Sequence, residues 1–200
     1  VTRLPVERRA RAGIGRSYQK TNVFPAFTAF ENCRLAAQAR LPRAWRVLES
    51  AYALLSHREV AEGALAAAGL EGRGPRLASA LSHGEQRQLE VAMVLATKPE
   101  VLLLDEPLAG MGPEEAFRMV ALLRRIAPEH AVLLVEHDMD AVFALADVVT
   151  VMVEGEVLES GPPARIRASP AVRRAYLGAE GAADAGAPPA PDGPAAGARG

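Results

Sequence analysis

Val101-Leu102-Leu103-Leu104-Asp105-Glu106-Pro107 is the stretch on which the reading of the fold turns. Four consecutive apolar residues, three of them Leu, predict a strand buried on both faces, as in the middle of a parallel sheet. The run ends abruptly in two carboxylates and a proline. An unpaired carboxylate is costly to bury, so two acids at the exit of a core strand need a metal, a donor or water beside them. Ligands of open α/β sheets bind just outside the carboxyl ends of the strands. Two readings of the pair stand at this point: the start of a site, or the strand's arrival at solvent.

Composition narrows the classes. Two hundred residues suit one domain, or one domain with a subdomain and a tail. A net charge of −1 gives no global field toward nucleic acid or anionic lipid. The basic groups are almost all Arg, with Lys20 and Lys98 the only lysines. A single cysteine, Cys33, excludes an internal disulfide and agrees with a reducing cytoplasm. No apolar run approaches the roughly 20 residues that span a bilayer. The basic N-terminal stretch (Arg3, Arg8, Arg9, Arg11) has no apolar segment after it and does not read as a secretory signal. Membrane attachment is then expected through a partner.

Outward from the heptad, the chain alternates. Pro5 to Ala12 predicts a short basic helix stopped at Gly13, and Gly13 to Gln19 a short strand ending on an amide. Thr28-Ala29-Phe30-Glu31 has the spacing of a capping box and opens a helix to about Arg40, before Pro42. Trp45 to Leu55 reads as helical. Ser56-His57-Arg58-Glu59 is a second capping box starting a helix that ends near Gly69, with His57 expected exposed in its first turn. Residues 27–97 are thus expected to form a helical subdomain. Leu81-Ser82-His83-Gly84-Glu85-Gln86 gives a third capping box, Ser82 with Glu85. That leaves Gly84 unexplained, because Gly in a first turn costs up to about 1 kcal/mol relative to Ala. Gly there suits close approach of a group to the backbone, and a helix N-terminus with a hydroxyl suits phosphate.

Beyond the heptad comes a turn, Leu108 to Gly112. Pro113, Glu114 and Glu115 then open a helix whose last turn carries Arg124 and Arg125. Ala131 to Val135 is a second apolar strand, ending in Glu136-His137-Asp138, with a short helix to Ala146 after it. Val148 to Val153 and Glu156 to Leu158 read as a hairpin around Glu154-Gly155. Two short helices close the folded part, which places core strands and helices over 98–160. From Ala179 to Gly200 all but four residues are Ala, Gly or Pro, a tail expected to be disordered.

Strand–helix alternation over 98–147 implies parallel strands with crossover helices, whose carboxyl ends share one edge. If all three strands lie in that sheet, Gln19, Asp105, Glu106 and His137 line that edge. An amide, two acids and an imidazole there suit a metal-bound phosphate and an attacked water.

These motifs together resemble the nucleotide-binding subunit of ATP-binding cassette (ABC) transporters. The matching residues are Gln19 (Q-loop), Leu81 to Gln86 (signature), Val101 to Glu106 (Walker B and catalytic Glu), Ala109 to Pro113 (D-loop) and His137 (H-loop), in register over roughly residues 8–178. Gly13-Ile14-Gly15-Arg16, Thr28 to Arg40, Ala109-Gly110-Met111 and Ala175-Tyr176-Leu177-Gly178 resemble, more narrowly, the branched-chain amino-acid uptake subgroup. The resemblance implies an α/β P-loop NTPase (RecA-like) fold with a helical subdomain, and ATP and Mg²⁺ as cofactors. Asp105 would hold Mg²⁺ through water and Gln19 would complete its shell. Glu106 would be the general base and His137 would contact the γ-phosphate. Ser82, Gly84 and Gln86 of the signature would complete the ATP site of the opposite subunit. The implied partners are a second ATP-binding subunit, integral membrane permease subunits and, indirectly, a solute-binding protein outside the membrane, with no nucleic acid. The implied location is cytoplasmic, peripheral on the inner face of the plasma membrane.

One departure bears on mechanism. The family binds nucleotide through a Walker A loop, Gly-x-x-x-x-Gly-Lys-Ser/Thr. No such sequence occurs here, and in the family it lies farther upstream than the 18 residues before Gln19. The expectation is an N-terminally shortened subunit that binds ATP poorly, does not hydrolyse it alone, exposes apolar sheet surface and is poorly soluble. The alternatives are a non-catalytic module pairing with an intact subunit, or an ATPase energising a different transport system. DNA-repair relatives carry long coiled coils between Q-loop and signature, whereas Gln19 and Ser82 are 63 positions apart. Ribosomal relatives carry two cassettes, and this chain has one.

Overall fold

The computed structural model describes residues 2–39 and 55–176, which fall in two compact units divided between Leu145 and Ala146. The first unit opens with α1 (Val6–Arg11) and β1 (Ile14–Arg16), followed by α2 (Ala29–Gln38), α3 (Leu55–Ala67) and α4 (His83–Ala96). After these come β2 (Val101–Asp105), α5 (Pro113–Ile126), β3 (Ala131–Val135) and α6 (Met139–Leu145). The second unit pairs β4 (Val149–Val153) with β5 (Glu156–Gly161) as an antiparallel hairpin, followed by α7 (Pro163–Ala168) and α8 (Pro170–Tyr176). The helix expected over Trp45 to Leu55 and the tail from Ala179 lie outside the described residues.

The first unit is ordered by a parallel three-stranded sheet, β1-β2-β3. Ile14 pairs with Val101, and Val101 with Ala131, so β2 is the centre strand. Strand β1 runs close against α4. A Cβ on Gly15 would meet Val94 Cγ1 at 2.5 Å and Pro99 Cβ at 3.1 Å, which makes glycine the residue that permits this approach. β1 stops at Arg16, three residues before Gln19 and short of the strand expected from sequence, although the Ser17 N–H still donates to Leu103 O at 2.9 Å.

Burial in the sheet corrects the sequence-based expectation. Leu102 and Leu104 are buried with Leu89 and Ala92 of α4 and with Met119, Leu122 and Leu123 of α5. Val101 and Leu103 point to the other face and are only half-buried, and their β3 neighbour Leu133 is 60% exposed. Among the described residues the helices cover one face of this sheet. Strand β2 is therefore buried on one side rather than two, and Leu133 and Val135 leave apolar surface in solvent.

The helical part between β1 and β2 is set by local chemistry. The Thr28 hydroxyl accepts from Glu31 N, and the Glu31 carboxylate accepts from Thr28 N at 2.8 Å, the reciprocal cap that the spacing predicts. Buried Asn32 accepts from Phe24 N (2.8 Å) and donates to Phe24 O and Thr28 O, fixing the loop that precedes the helix. Cys33 is buried beside it, and burial pushes its thiol up to about 12, so it is chemically inert at neutral pH.

His57 is a second correction. Helix α3 includes Ser56 in its backbone, and His57, expected exposed, is buried. Neither ring nitrogen has a hydrogen-bond partner among the described residues. Burial, and secondarily the charge of Arg34, lowers its proton affinity below the ordinary value of 6.5. The unfolded chain therefore takes up a proton near pH 6.5 that the folded chain refuses until lower pH. Stability falls as pH drops through that window. Urea unfolding between pH 7 and 5 is expected to lose stability progressively, and His57→Leu to flatten the slope; an unchanged slope would show that His57 does not titrate differently on folding.

Candidate functional site

Because β1, β2 and β3 are parallel, their carboxyl ends open on one edge, and the chain leaves that edge through Gln19, Glu106 and His137. Glu106 stands at φ 46°, a left-handed backbone that a residue with a Cβ adopts at a cost. It is held there by its N–H on Val135 O (2.9 Å) and by Ala109 N on its own carbonyl (3.1 Å). This turn swings the carboxylate back over the strand end. One oxygen accepts from Gln19 Nε2 at 3.1 Å, and the other lies 3.7 Å from His137 Nδ1. Sequence-expected residues from three strand ends thus meet on one carboxylate.

The Asp105 carboxylate lies 3.7 Å from Arg16 Nη2, and the Arg16 guanidinium lies over the Tyr18 ring at 5.2 Å. Both members of the ion pair are well exposed, so their attraction is worth little in water. The next acid along, Glu136, was not singled out by sequence. Its side chain is fully buried, accepts from Leu108 N at 2.8 Å and from His137 N at 3.2 Å, and so ties the turn after β2 to the end of β3.

Ser82 and Gly84 belong to a separate group at the N-terminus of α4. The Ser82 hydroxyl accepts from Glu85 N (3.2 Å), and the Glu85 carboxylate accepts from Ser82 N (3.0 Å). That backbone donor, with Arg73 assisting and partial burial opposing, holds the Glu85 carboxyl below its usual range. The free donors of the helix end are taken by Glu115 of α5, whose Oε1 accepts from Ser82 Oγ at 3.1 Å and from Gly84 N at 3.2 Å. A Cβ on Gly84 would sit 2.5 Å from that oxygen, so the glycine predicted to allow close approach does so for an anion of the chain itself. A cleft of about 580 Å³ opens here, lined by Arg73, Gln88 and Arg118 among others. Gln86 turns away from it, its amide donating to Ala78 O (3.0 Å) and Leu81 O (3.4 Å).

Sequence reasoning also passed over Arg87 and Glu90. Spaced three apart on α4, they look like an ordinary surface pair, yet both side chains are 6% exposed and bonded at 3.1 Å. Burial raises the Glu90 proton affinity, against the hydrogen bonds that favour its charge. Their only sequence signal is two charges placed on the side of α4 that also carries Val91 and Val94.

The donor set suits a hard cation held in part by other ligands. Among the described residues no cluster of three or more His, Cys, Asp or Glu side chains could hold a metal. Asp105 and Gln19 are one carboxylate and one amide, donor types that Mg²⁺ accepts beside water and phosphate oxygens, and here they are engaged by Arg16 and Glu106 respectively.

Residues 2–109 match the ABC transporter family model. The chain belongs to the ABC transporter family. Residues 156–182 of this ABC chain also match the branched-chain amino acid ATP-binding cassette transporter family. It is 37% identical over 182 residues to the high-affinity branched-chain amino acid transport ATP-binding protein BraF of Pseudomonas aeruginosa, covering 88% of this chain and 71% of that protein. To LivG of Escherichia coli K12, which bears the same description, it is 36% identical over 184 residues with the same shares covered. Among solved structures its fold resembles the ADP conformation of MJ1267, an ATP-binding cassette of an ABC transporter (TM-score 0.69, 24% identity, 86% of this chain, 71% of that one). It also resembles the dimeric post-hydrolysis state of the ATP-binding cassette MJ0796 bound to ADP and Pi (TM-score 0.65, 23% identity, 80% and 68%). The ABC chain is thus an ABC ATPase domain of P-loop NTPase type, and among its described residues no helix is long and apolar enough to cross a membrane.

Gly84→Ala is expected to expel the Glu115 carboxylate from the α4 N-terminus. Glu115→Ala should then cost about 1 kcal/mol in the native background and close to nothing beside Gly84→Ala, read as a double-mutant cycle in urea. Equal costs in both backgrounds would show that the contact contributes nothing.

Proposed function

We propose that the chain is the ATP-binding subunit of an importer for branched-chain amino acids. The observation that carries this reading is the convergence of Gln19 and His137 on Glu106 at the carboxyl edge, in a chain whose relatives bear that transport description. Asp105 and Gln19 would hold Mg²⁺, which when bound neutralises charge on the phosphoryl oxygens. Glu106 accepts the proton of the attacking water as general base, with the Gln19 amide holding its Oε2. His137 would donate to a terminal phosphate oxygen. Ser82 and Gly84, with Gln86 bracing the turn before them, would present their helix end to the nucleotide of a second ATP-binding subunit once Glu115 gives up its contacts with them. The permease and, through it, a solute-binding protein are the remaining partners. The chain then works as a peripheral subunit on the cytoplasmic face of the membrane, with residues 27–97 as its helical subdomain, 98–160 as core and 179–200 as a tail.

The 200 residues carry no Gly-x-x-x-x-Gly-Lys-Ser/Thr, so the N–H nest and lysine that cradle the β- and γ-phosphates are not among them. Alone it is expected to bind ATP weakly and to release no phosphate. Mg²⁺-dependent turnover that disappears in Glu106→Gln would overturn that expectation. The intact Ser82–Gly84 helix end favours a second reading, a module that pairs with a complete subunit; nucleotide-dependent association with such a subunit would support it. Loss of the chain from its source organism is expected to reduce uptake of labelled leucine, isoleucine and valine. Unchanged uptake of all three would remove the importer assignment.

A further inference from the structure

We propose that Arg87 and Glu90 are positioning residues for the contact between Gln19 and Glu106. The proposal rests on reading that contact as part of a nucleotide site. Beyond Ser17 the chain has left the ladder with β2, and a different set of bonds takes over. Arg87 Nη1 donates to Tyr18 O at 3.0 Å and Arg87 Nη2 to Gln19 O, while Tyr18 N donates to Glu90 Oε1 at 3.1 Å. One guanidinium thus grips two consecutive carbonyls, and its partner carboxylate takes the N–H of Tyr18, the residue that carries the first of them. The Gln19 side chain, launched from this clamped backbone, reaches Glu106 Oε2 at 3.1 Å.

Two features favour positioning over simple packing. A buried ion pair is seldom the most stabilising content for a core site, and apolar residues of like volume often do as well. These two charges are spent on main-chain groups of the loop instead. The geometry also requires arginine, because its planar fork reaches both carbonyls and Glu90 at once, whereas a lysine ammonium is a point donor. Since Arg87 lies one turn after Ser82 and Gly84 on α4, the helix end that presents those residues and the amide that touches Glu106 are fixed to one rigid element.

The full chain has four glutamines, so labelling with ¹⁵N-glutamine gives a simple side-chain amide spectrum. Gln19→Ala identifies its signal, and Glu106→Gln gives the reference for a Gln19 amide without its carboxylate partner. In Arg87→Gln the Gln19 signal is expected to move to that reference, and amide exchange over residues 17–22 to quicken about tenfold, the scale of one lost charge-assisted hydrogen bond. Exchange over 29–38 should stay as in the native chain. Arg87→Lys should restore part of the Gln19 signal, which a general packing defect would not do. A folded Arg87→Gln chain with native Gln19 signal and native exchange would overturn the proposal, as would a native chain whose Gln19 amide already matches the reference. If melting shows Arg87→Gln unfolded, Arg87→Lys and Glu90→Gln carry the same decision. Nucleotide enters none of these measurements, so failure of the ATP-site reading would leave the Arg87-dependent signal in place and remain distinguishable from failure of the clamp.

Discussion

The parallel register of β1, β2 and β3 is the constraint on which the rest of the first unit depends. Leu102 and Leu104 face the helices only when Asp105 is the last paired residue of β2, opposite Val135. A slip by one residue would turn the Leu pair outward and carry the acids to the wrong face. With the register set, the chain ends of all three strands emerge together, and Glu106 can collect Gln19 from one neighbour and His137 from the other. Short bonds at the edge then lock the arrangement: Glu136 to Leu108 on the β3 side, and Arg87 to Tyr18 on the β1 side.

Helix α4 is the second organising element, because it meets both the sheet and the helical part. Its outer end is electrostatically complete through Glu85 and Glu115, and its inner face combines Leu89 and Ala92 with the Arg87–Glu90 pair. Gly15 lets β1 lie against it without a side chain between. The result is a helix whose polar end and charged inner turn both touch segments that leave the sheet.

Much of this was legible in the sequence where the cause is local. The caps at Thr28 and Ser82 depend on residues three apart, and the structure forms both. The strands at 101–105 and 131–135, their parallel pairing, and the hairpin at 149–161 followed from periodicity and from the spacing of breakers. The family, too, was carried by motifs in register. What could not be read was burial, which is set by distant neighbours. His57 looks like an exposed first-turn residue until its surroundings are seen to bury it, and Leu103 looks like core until one face of β2 is found uncovered. Arg87 and Glu90 have the spacing of a solvated pair, and Glu115 that of a helix-dipole acid. Only tertiary contacts distinguish their actual partners.

The left-handed backbone of Glu106 has a further consequence. Lys98 and Glu154 also have positive φ, so the conformation alone marks tight turns rather than sites. Each such residue costs on the order of 1 kcal/mol or more relative to glycine, which is free to adopt it. At position 106 the most comfortable backbone residue would therefore be the one without any side chain. Natural variation there faces two opposed demands: drift toward glycine would relax the turn and erase the carboxylate that Gln19 and His137 approach. Keeping glutamate makes this corner of the molecule a place where conformational ease is surrendered for a functional group.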